Sequence, residues 1–88
     1  MNWNDEMKKW LTAWFSKHTG HDTPEIEAHA DENYFELGYI DSFGFIELIE
    51  ELEETHELTF ENDAFEDRAF ATINGLAQIC AGLKQQEK

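Results

Sequence analysis

Residues 37–48 read LGYIDSFGFIEL, and this stretch predicts the start of the helix around which the chain is organised. Gly38 ends an irregular segment, and the pair Asp41-Ser42 follows after two further residues. Both side chains accept hydrogen bonds from the free backbone N–H groups of a first helical turn, so either residue can cap the helix. We therefore expect the second main helix of the protein to cover residues 42–56.

The apolar residues of this helix fall on two different sides. At about 100° per residue, four of them share one arc and form the stripe expected to face a core: Phe45, Leu48, Ile49 and Leu52. Phe43 and Ile46 point the other way, among the acidic residues Glu47, Glu50, Glu53 and Glu54. An apolar pair surrounded by carboxylates indicates a docking face for another protein. The alternative is that Phe43 and Ile46 pack beneath the preceding loop.

The same twelve residues resemble the modification motif of acyl carrier proteins. In that family the serine after the aspartate is esterified with 4′-phosphopantetheine, whose thiol carries acyl groups as thioesters. The resemblance implies that Ser42 is the attachment residue and that Asp41 helps to hold the metal ion in the complex with the modifying transferase. It also implies partner contacts on the second main helix, and with the neighbouring Glu50 the candidate positions are Phe43, Ile46, Glu47, Glu50, Glu53 and Glu54.

The spacing within the motif departs from the usual form of the family. Two residues, Tyr39 and Ile40, separate the first glycine from the Asp-Ser pair, where one is usual. This spacing, together with Gly44, is more similar to D-alanyl carrier proteins and other free-standing carriers than to the carriers of fatty-acid synthesis. The resemblance extends in pattern over about residues 7–83.

The overall charge restricts the classes of partner. The 88 residues predict one domain, residues 1–88, and they include 20 acidic and 6 basic side chains, a formal net charge of −14. Binding to nucleic acid through its phosphates requires a basic patch, and anionic membrane surfaces are disfavoured for the same reason. Partners with basic faces are favoured instead. Because 41% of the residues are hydrophobic and periodically placed, we expect a folded chain rather than a disordered one.

Cysteine content and the lack of long apolar runs add further exclusions. Cys80 is the only cysteine, so neither an intramolecular disulfide nor a cysteine-rich metal site is expected. The acidic N-terminus lacks the apolar run of a signal peptide, and no segment approaches the roughly 20 apolar residues of a membrane span. These features predict a cytoplasmic protein.

Apolar periodicity predicts a long first helix and an irregular crossover after it. The helix is expected over 5–18, with Asn2 or Asn4 as its cap, and its apolar stripe comprises Trp3, Met7, Trp10, Leu11, Trp14 and Phe15. Residues 19–40 have no sustained period, although a short turn is expected near Pro24. The residues expected to anchor this crossover on the bundle are Ile26, Tyr34, Phe35 and Leu37. A connection of this length is unusual in a compact domain and often functional, and acyl carrier proteins have such a loop before their modified serine.

The remaining elements are a short helix and a long final one. The short helix is expected within 62–70, with Phe65 and Phe70 pointing inward. Thr72 is expected to cap the final helix, whose stripe comprises Ile73, Leu76, Ala77, Cys80 and Leu83. The predicted fold is therefore all-α, a small four-helix bundle of three main helices and one short third helix, with a long loop between helices 1 and 2.

Other chemistry receives little support from the residues. Ser42 does not fit the hydrolase motif G-x-S-x-G, because Ile40 replaces the first glycine, and no lysine follows three residues later. His18, His21 and His29 lack a recognisable metal-ligand spacing, so no metal site is expected.

We interpret the chain as a monomeric carrier rather than an enzyme. The resemblance implies three partners: a phosphopantetheinyl transferase, an acyl- or aminoacyl-adenylating ligase, and a downstream acyltransferase or synthase. The cargo stays open between D-alanine, another amino acid and a fatty or polyketide acyl chain. The competing hypothesis is an acidic helical adaptor, which would bind basic partners through the same helix without covalent modification.

Overall fold

In the computed structural model, residues 3–60 and 68–86 are described, and they form helices joined by irregular segments without a strand. The four α-helices are α1 (Trp3–Thr19), α2 (Thr23–Ala28), α3 (Ser42–His56) and α4 (Ile73–Gln86), and a 3₁₀ helix (Arg68–Ala71) precedes α4. The prediction of an all-α bundle with three main helices and a long crossover is confirmed. Most of the short helix expected within 62–70, including Phe65, lies outside the described residues.

The helix α1 starts earlier than the sequence predicted. It begins at Trp3, so Asn4 lies inside the helix and does not cap it, while Asn2 lies outside the described residues. Asp5 and Glu6 occupy the first turn and Lys17 the last, an arrangement that the helix dipole favours. Gly20, with φ +82°, ends the helix and donates its backbone N–H to the carbonyl of Ser16 at 2.9 Å.

The core is built from one face of each long helix and from the crossover. Its largest fully buried side chains are Met7, Leu11, Phe15, Ile26, Tyr34, Leu48, Leu52, Ile73, Leu76 and Cys80. Tryptophan residues 3, 10 and 14, expected in the apolar stripe of α1, are only half-buried and pack against the edge of this core. The apolar period therefore identified the correct helix faces, and the large indole rings close the sides of the bundle.

The crossover contains a helix that the sequence did not predict at full length. A short turn was expected near Pro24, and the structure has the six-residue α2, with Asp22 as its N-cap residue. Ile26 and Tyr34 anchor the crossover as predicted, since both are fully buried. Phe35 does not: 40% of its surface is exposed, because Tyr34 beside it takes the inward direction.

Three contacts tie α3 to the neighbouring helices α1 and α4. The indole N–H of Trp14 in α1 donates to the Glu51 carboxylate at 2.7 Å, and the Lys84 ammonium in α4 donates to the His56 carbonyl at 2.8 Å. The rings of His56 and Trp10 also make an edge-to-face contact, with a centroid distance of 5.0 Å. None of the described helices has the length and apolar character needed to cross a membrane.

Candidate functional site

The start of α3 is capped by Asp41. The backbone of Asp41 is extended, its carboxylate Oδ1 accepts the N–H of Gly44 at 2.8 Å, and its carbonyl accepts the N–H of Phe45 at 2.9 Å. The sequence left the choice of cap open between Asp41 and Ser42. The structure assigns the cap to Asp41, so Ser42 becomes the first helical residue.

The Ser42 side chain is free for chemistry with an external molecule. The residue is exposed, and its hydroxyl makes no hydrogen bond to any described residue. The neighbouring Asp41 satisfies a backbone N–H of the first turn, which is the bond that a capping serine would otherwise make. An exposed hydroxyl at a helix start, held by a rigid cap, is accessible to an enzyme that carries an activated phosphate.

Packing on both sides of the motif fixes the position of Ser42. Ile40 is buried just before it, and Gly44 is buried just after it. A Cβ atom at Gly44 would lie 2.8 Å from Cγ1 of Ile40, which is closer than real Cβ contacts. Glycine is therefore present inside a helix, despite a cost of about 1 kcal/mol relative to alanine, because it lets Ile40 and the cap approach the helix closely.

Hydrogen bonds from backbone N–H groups hold the crossover that leads to Ser42. The Asn33 side-chain oxygen accepts the N–H groups of Phe35 and Glu36 at 2.8 and 3.1 Å. Gly38 adopts φ +77°, a left-handed conformation that favours glycine. The N–H of Tyr39 then donates to the carbonyl of Tyr34 at 3.0 Å, which closes the turn.

Buried Tyr34 anchors this segment to the 3₁₀ helix. Its hydroxyl donates to the Phe70 carbonyl, and its backbone N–H donates to the Ala71 carbonyl at 2.9 Å. Burial raises the pKa of Tyr34, so the hydroxyl stays protonated as a donor. Phe70 is buried, as the sequence predicted.

The outward side of α3 presents apolar and acidic residues. Phe43 is 80% exposed and Ile46 is 55% exposed, whereas Leu48, Ile49 and Leu52 are buried. The alternative that Phe43 and Ile46 pack beneath the preceding loop is therefore wrong. The exposed residues of this side are Phe43, Ile46, Glu47, Glu50 and Glu54, and we call them the docking face. A groove of about 290 Å³ adjoins it, lined by Phe45, Ile46, Ile49 and Glu50.

Two glutamates of α3 have internal partners. Glu53, a candidate partner-contact residue, is half-buried, and its carboxylate accepts the N–H of Phe60 at 3.2 Å. Glu51 accepts the indole N–H of Trp14. The sequence did not predict either bond, because the partner of Glu51 lies 37 positions away and that of Glu53 lies beyond the helix end. Glu53 is therefore left out of the docking face.

The histidines and the cysteine have structural surroundings. Nδ1 of His21 lies 2.6 Å from Glu25, Nδ1 of His29 lies 2.6 Å from Glu32, and His18 stacks on an indole ring. Within residues 3–60 and 68–86, no three histidine, cysteine or acidic side chains are grouped so that they could hold a metal ion. Cys80 is buried, and burial raises the pKa of its thiol to about 12.

Comparison with known families agrees with the motif at the start of α3. A family model described as the phosphopantetheine attachment site matches residues 9–80, which is most of the chain. The chain belongs to this family. Its members carry covalently attached 4′-phosphopantetheine and act as non-catalytic carriers, so this protein is a phosphopantetheine-bearing carrier and not an enzyme. Comparisons with curated proteins and with solved structures gave no match.

Proposed function

We propose that Ser42 is the residue that bears phosphopantetheine, and that the protein carries acyl or aminoacyl groups between enzymes. The observation that carries the proposal is the exposed Ser42 hydroxyl, without a hydrogen-bond partner among the described residues, at the capped start of α3. When bound, phosphopantetheine supplies a thiol on a long arm, which holds carboxylic acids as thioesters. The residues present fit this group, since the oxygen to be modified needs no rearrangement to be reached.

Asp41 has two tasks in this proposal. Its Oδ1 holds the first turn of α3 through Gly44, which orients Ser42. Its other carboxylate oxygen makes no hydrogen bond to the residues described, and the side chain is exposed. We assign to that oxygen a contact with the metal ion in the complex with the modifying transferase, since a carboxylate is a hard oxygen ligand of the kind that Mg²⁺ prefers.

The docking face serves the exchange between enzymes. Family membership implies transferase and synthase partners, and we assign their contact to the apolar side chains of Phe43 and Ile46. The surrounding carboxylates of Glu47, Glu50 and Glu54 are exposed and align partners that have basic faces. A small interface of this kind would allow rapid release, which a carrier visiting an adenylating ligase and then an acyltransferase or synthase requires.

Intact mass measurement tests the attachment residue. The chain is incubated with coenzyme A and a broad-specificity phosphopantetheinyl transferase, whose reaction joins the Ser42 oxygen to phosphorus and releases adenosine 3′,5′-bisphosphate. We expect a gain of one phosphopantetheinyl group in the wild type and none in Ser42→Ala. Ser16 is the other serine of the chain, and its hydroxyl bonds to the His21 carbonyl, so Ser16→Ala is the matched control that should be modified fully.

The outcomes of this experiment separate the two hypotheses. A wild-type protein that stays unmodified would support the acidic adaptor instead of the carrier. A modified Ser42→Ala protein would show that another residue bears the group.

A charge reversal tests the docking face. Glu47→Lys with Glu50→Lys should lower kcat/KM of the transferase at low salt on the order of tenfold, because opposite charges speed the encounter of two proteins. The control, Glu27→Lys with Glu36→Lys, makes the same change of net charge at exposed residues outside α3. The loss should shrink at high salt, where charges are screened. Equal losses in both variants would mean that net charge alone, and not this face, controls the encounter.

A further inference from the structure

A second groove lies beside Ser42, between the end of α1, the crossover and the capping residue of α3. Its volume is about 450 Å³, and its lining residues are His18, Phe35, Gly38, Tyr39, Ile40 and Asp41. We call it the crossover groove. Asp41 is joined directly to Ser42, so the groove comes within one residue of the hydroxyl that the proposed function assigns to phosphopantetheine.

The walls of the crossover groove combine apolar and hydrogen-bonding groups. Phe35, Tyr39 and Ile40 supply rings and an aliphatic chain, while His18 and Asp41 supply an imidazole and a carboxylate. Such a lining fits a chain in which short hydrocarbon segments alternate with amides. It fits a long hydrocarbon less well, because burial of a polar wall without hydrogen bonds is costly.

Phe35 is a partly exposed aromatic residue that lies outside the docking face. It keeps 40% of its surface exposed although Tyr34 beside it is fully buried, and its ring stands 5.4 Å from that of Phe45. A phenyl ring in the wall of a groove that reaches Asp41 offers apolar area that a ligand can cover with a gain of free energy.

The groove walls are held in place by contacts outside the groove. The His18 ring stacks on Trp14 at a centroid distance of 4.2 Å, and Trp14 is in turn bonded to Glu51. The N–H of Phe35 donates to the side-chain oxygen of Asn33 at 2.8 Å. A site that is already formed requires little ordering when a ligand binds, and a ligand tethered to the adjacent residue requires less still.

We propose that the crossover groove holds the phosphopantetheine arm of Ser42 between visits to partner enzymes. The inference rests on the proposed function, and it names the arm itself, a chain of methylene and amide groups, as the ligand. Phe35 and Tyr39 contact its hydrocarbon parts, and His18 hydrogen-bonds to an amide. Docking of the arm shields its thiol, and any thioester on it, from water and foreign nucleophiles, and a partner enzyme competes for the arm when it binds.

The reactivity of the arm thiol tests this proposal. Modified protein is treated with iodoacetamide, a neutral reagent that the net charge of −14 does not repel, and the rate is followed by mass. Cys80 does not interfere, because its buried thiol with a pKa of about 12 is unreactive, and the protein without the arm verifies this. If the arm is docked about four-fifths of the time, the wild type should react about fivefold more slowly than a variant that cannot hold it.

The control variant changes the chain neighbour of each residue that the test variant changes. His18→Ala with Phe35→Ala removes two walls, and Lys17→Ala with Glu36→Ala changes their exposed chain neighbours without altering the net charge. We expect the first pair to react about fivefold faster than the wild type and the second pair to react as the wild type does. Equal rates in all three proteins would overturn the proposal.

Backbone NMR of the wild type gives a measurement that does not depend on any variant. On attachment of the arm, the amide signals of His18, Gly38 and Tyr39 should shift. Shifts confined to the neighbours of Ser42, or centred on Ile46 and Ile49, would overturn the proposal while the proposed function stands, because mass would still show a modified Ser42. An unmodified Ser42 would overturn both.

Discussion

The helices α3 and α4 begin with the same type of cap, but the start of α4 is packed against the bundle and the start of α3 is exposed to solvent. At the start of α3, Asp41 accepts the N–H of Gly44 at 2.8 Å, and at the start of α4, Thr72 accepts the N–H of Gly75 at 2.9 Å. Both cap carbonyls also accept the N–H of the residue four positions later, at 2.9 Å in each case. The local chemistry of the two starts is therefore nearly identical.

The residues that follow the two caps make the difference. In α4, Ile73 is buried, and Asn74 bonds through its side chain to Asp31 at 2.6 Å and through its N–H to the Ala30 carbonyl. In α3, Ser42 and Phe43 at the same positions are exposed to solvent. A helix start that is fastened to the bundle contributes stability. One that is left open contributes a site that another enzyme can reach.

The largest effect should come from truncating one apolar residue at the start of each helix, Ile73 in α4 and Phe43 in α3. Ile73→Ala should lower the free energy of unfolding by about 2–5 kcal/mol, because it leaves a cavity in the core. Phe43→Ala should change it by no more than about 0.5 kcal/mol, as is usual at the surface. Urea unfolding followed by circular dichroism measures both. A similar loss in the two variants would mean that Phe43 is packed and not free to dock.

A smaller effect should come from the two glycines. A Cβ atom at Gly75 would overlap the carbonyl oxygen of Ala69 and lie 2.7 Å from Oγ1 of Thr72, so Gly75→Ala should cost about 1–3 kcal/mol. At Gly44 the closest obstacle is the side chain of Ile40 rather than backbone. The clash in Gly44→Ala is also offset by a gain of about 1 kcal/mol in helix propensity. Its stability should therefore stay within about 1 kcal/mol of the wild type.

The same unfolding experiment measures the two glycine variants. If Gly44→Ala lowered the free energy of unfolding more than Gly75→Ala, the start of α3 would be more tightly packed than the start of α4. That result would contradict the conclusion that the start of α3 is the open one.

Helix periodicity explains how much of this could be predicted from the sequence. The core side of α3, with Leu48 and Leu52, follows from the helix period, and the cap at Thr72 follows from residue type. The helix period also turned Phe43 away from this core, but the sequence left open whether the preceding loop covers it. The exposure of Phe35 and the internal partner of Glu53 could not be predicted in this way. The first depends on Tyr34 being buried in place of Phe35, and the second depends on where Phe60 lies after the end of α3.

Short elements were also beyond prediction from a single sequence. The helix α2 has only six residues, and a helix of that length is unstable in isolation, so its formation depends on the burial of Ile26 in the bundle. The choice between Asp41 and Ser42 as cap stayed open because both residue types make the same hydrogen bond. That choice decides whether the serine hydroxyl is free.

Removing the caps should have equal effects on stability and different effects on modification. Thr72→Ala and Asp41→Ala should each lower the free energy of unfolding by about 1 kcal/mol. Under the proposed function, only Asp41→Ala should also slow the modification of Ser42. Asp41→Asn sharpens the test, because asparagine caps as well as aspartate but lacks the charge. It should restore stability without restoring the rate, and recovery of both would mean that Asp41 acts through the cap alone.

The smallest effect concerns the other end of α3, where the Lys84 ammonium of α4 donates to the His56 carbonyl. His56 is half-buried, and its Nε2 is buried without a hydrogen-bond partner among the described residues. Burial and the nearby Lys84 lower the pKa of His56, against a smaller opposite influence of Glu6. The unfolded chain therefore takes up this proton more readily than the folded one.

The sign of the pH dependence follows from this difference. Above the unfolded pKa of about 6.5, His56 is neutral in both states and its titration does not change the stability. Stability is lost as the pH falls through that value until the folded pKa is passed. Glutamine at position 56 does not titrate, so the stability of His56→Gln relative to the wild type should rise as the pH falls from 8 to 5. Carboxylates titrate alike in both proteins and cancel in the difference. A difference that stays constant with pH would mean that the end of α3 opens enough for water to reach His56, and that both ends of this helix, not only its start, are exposed.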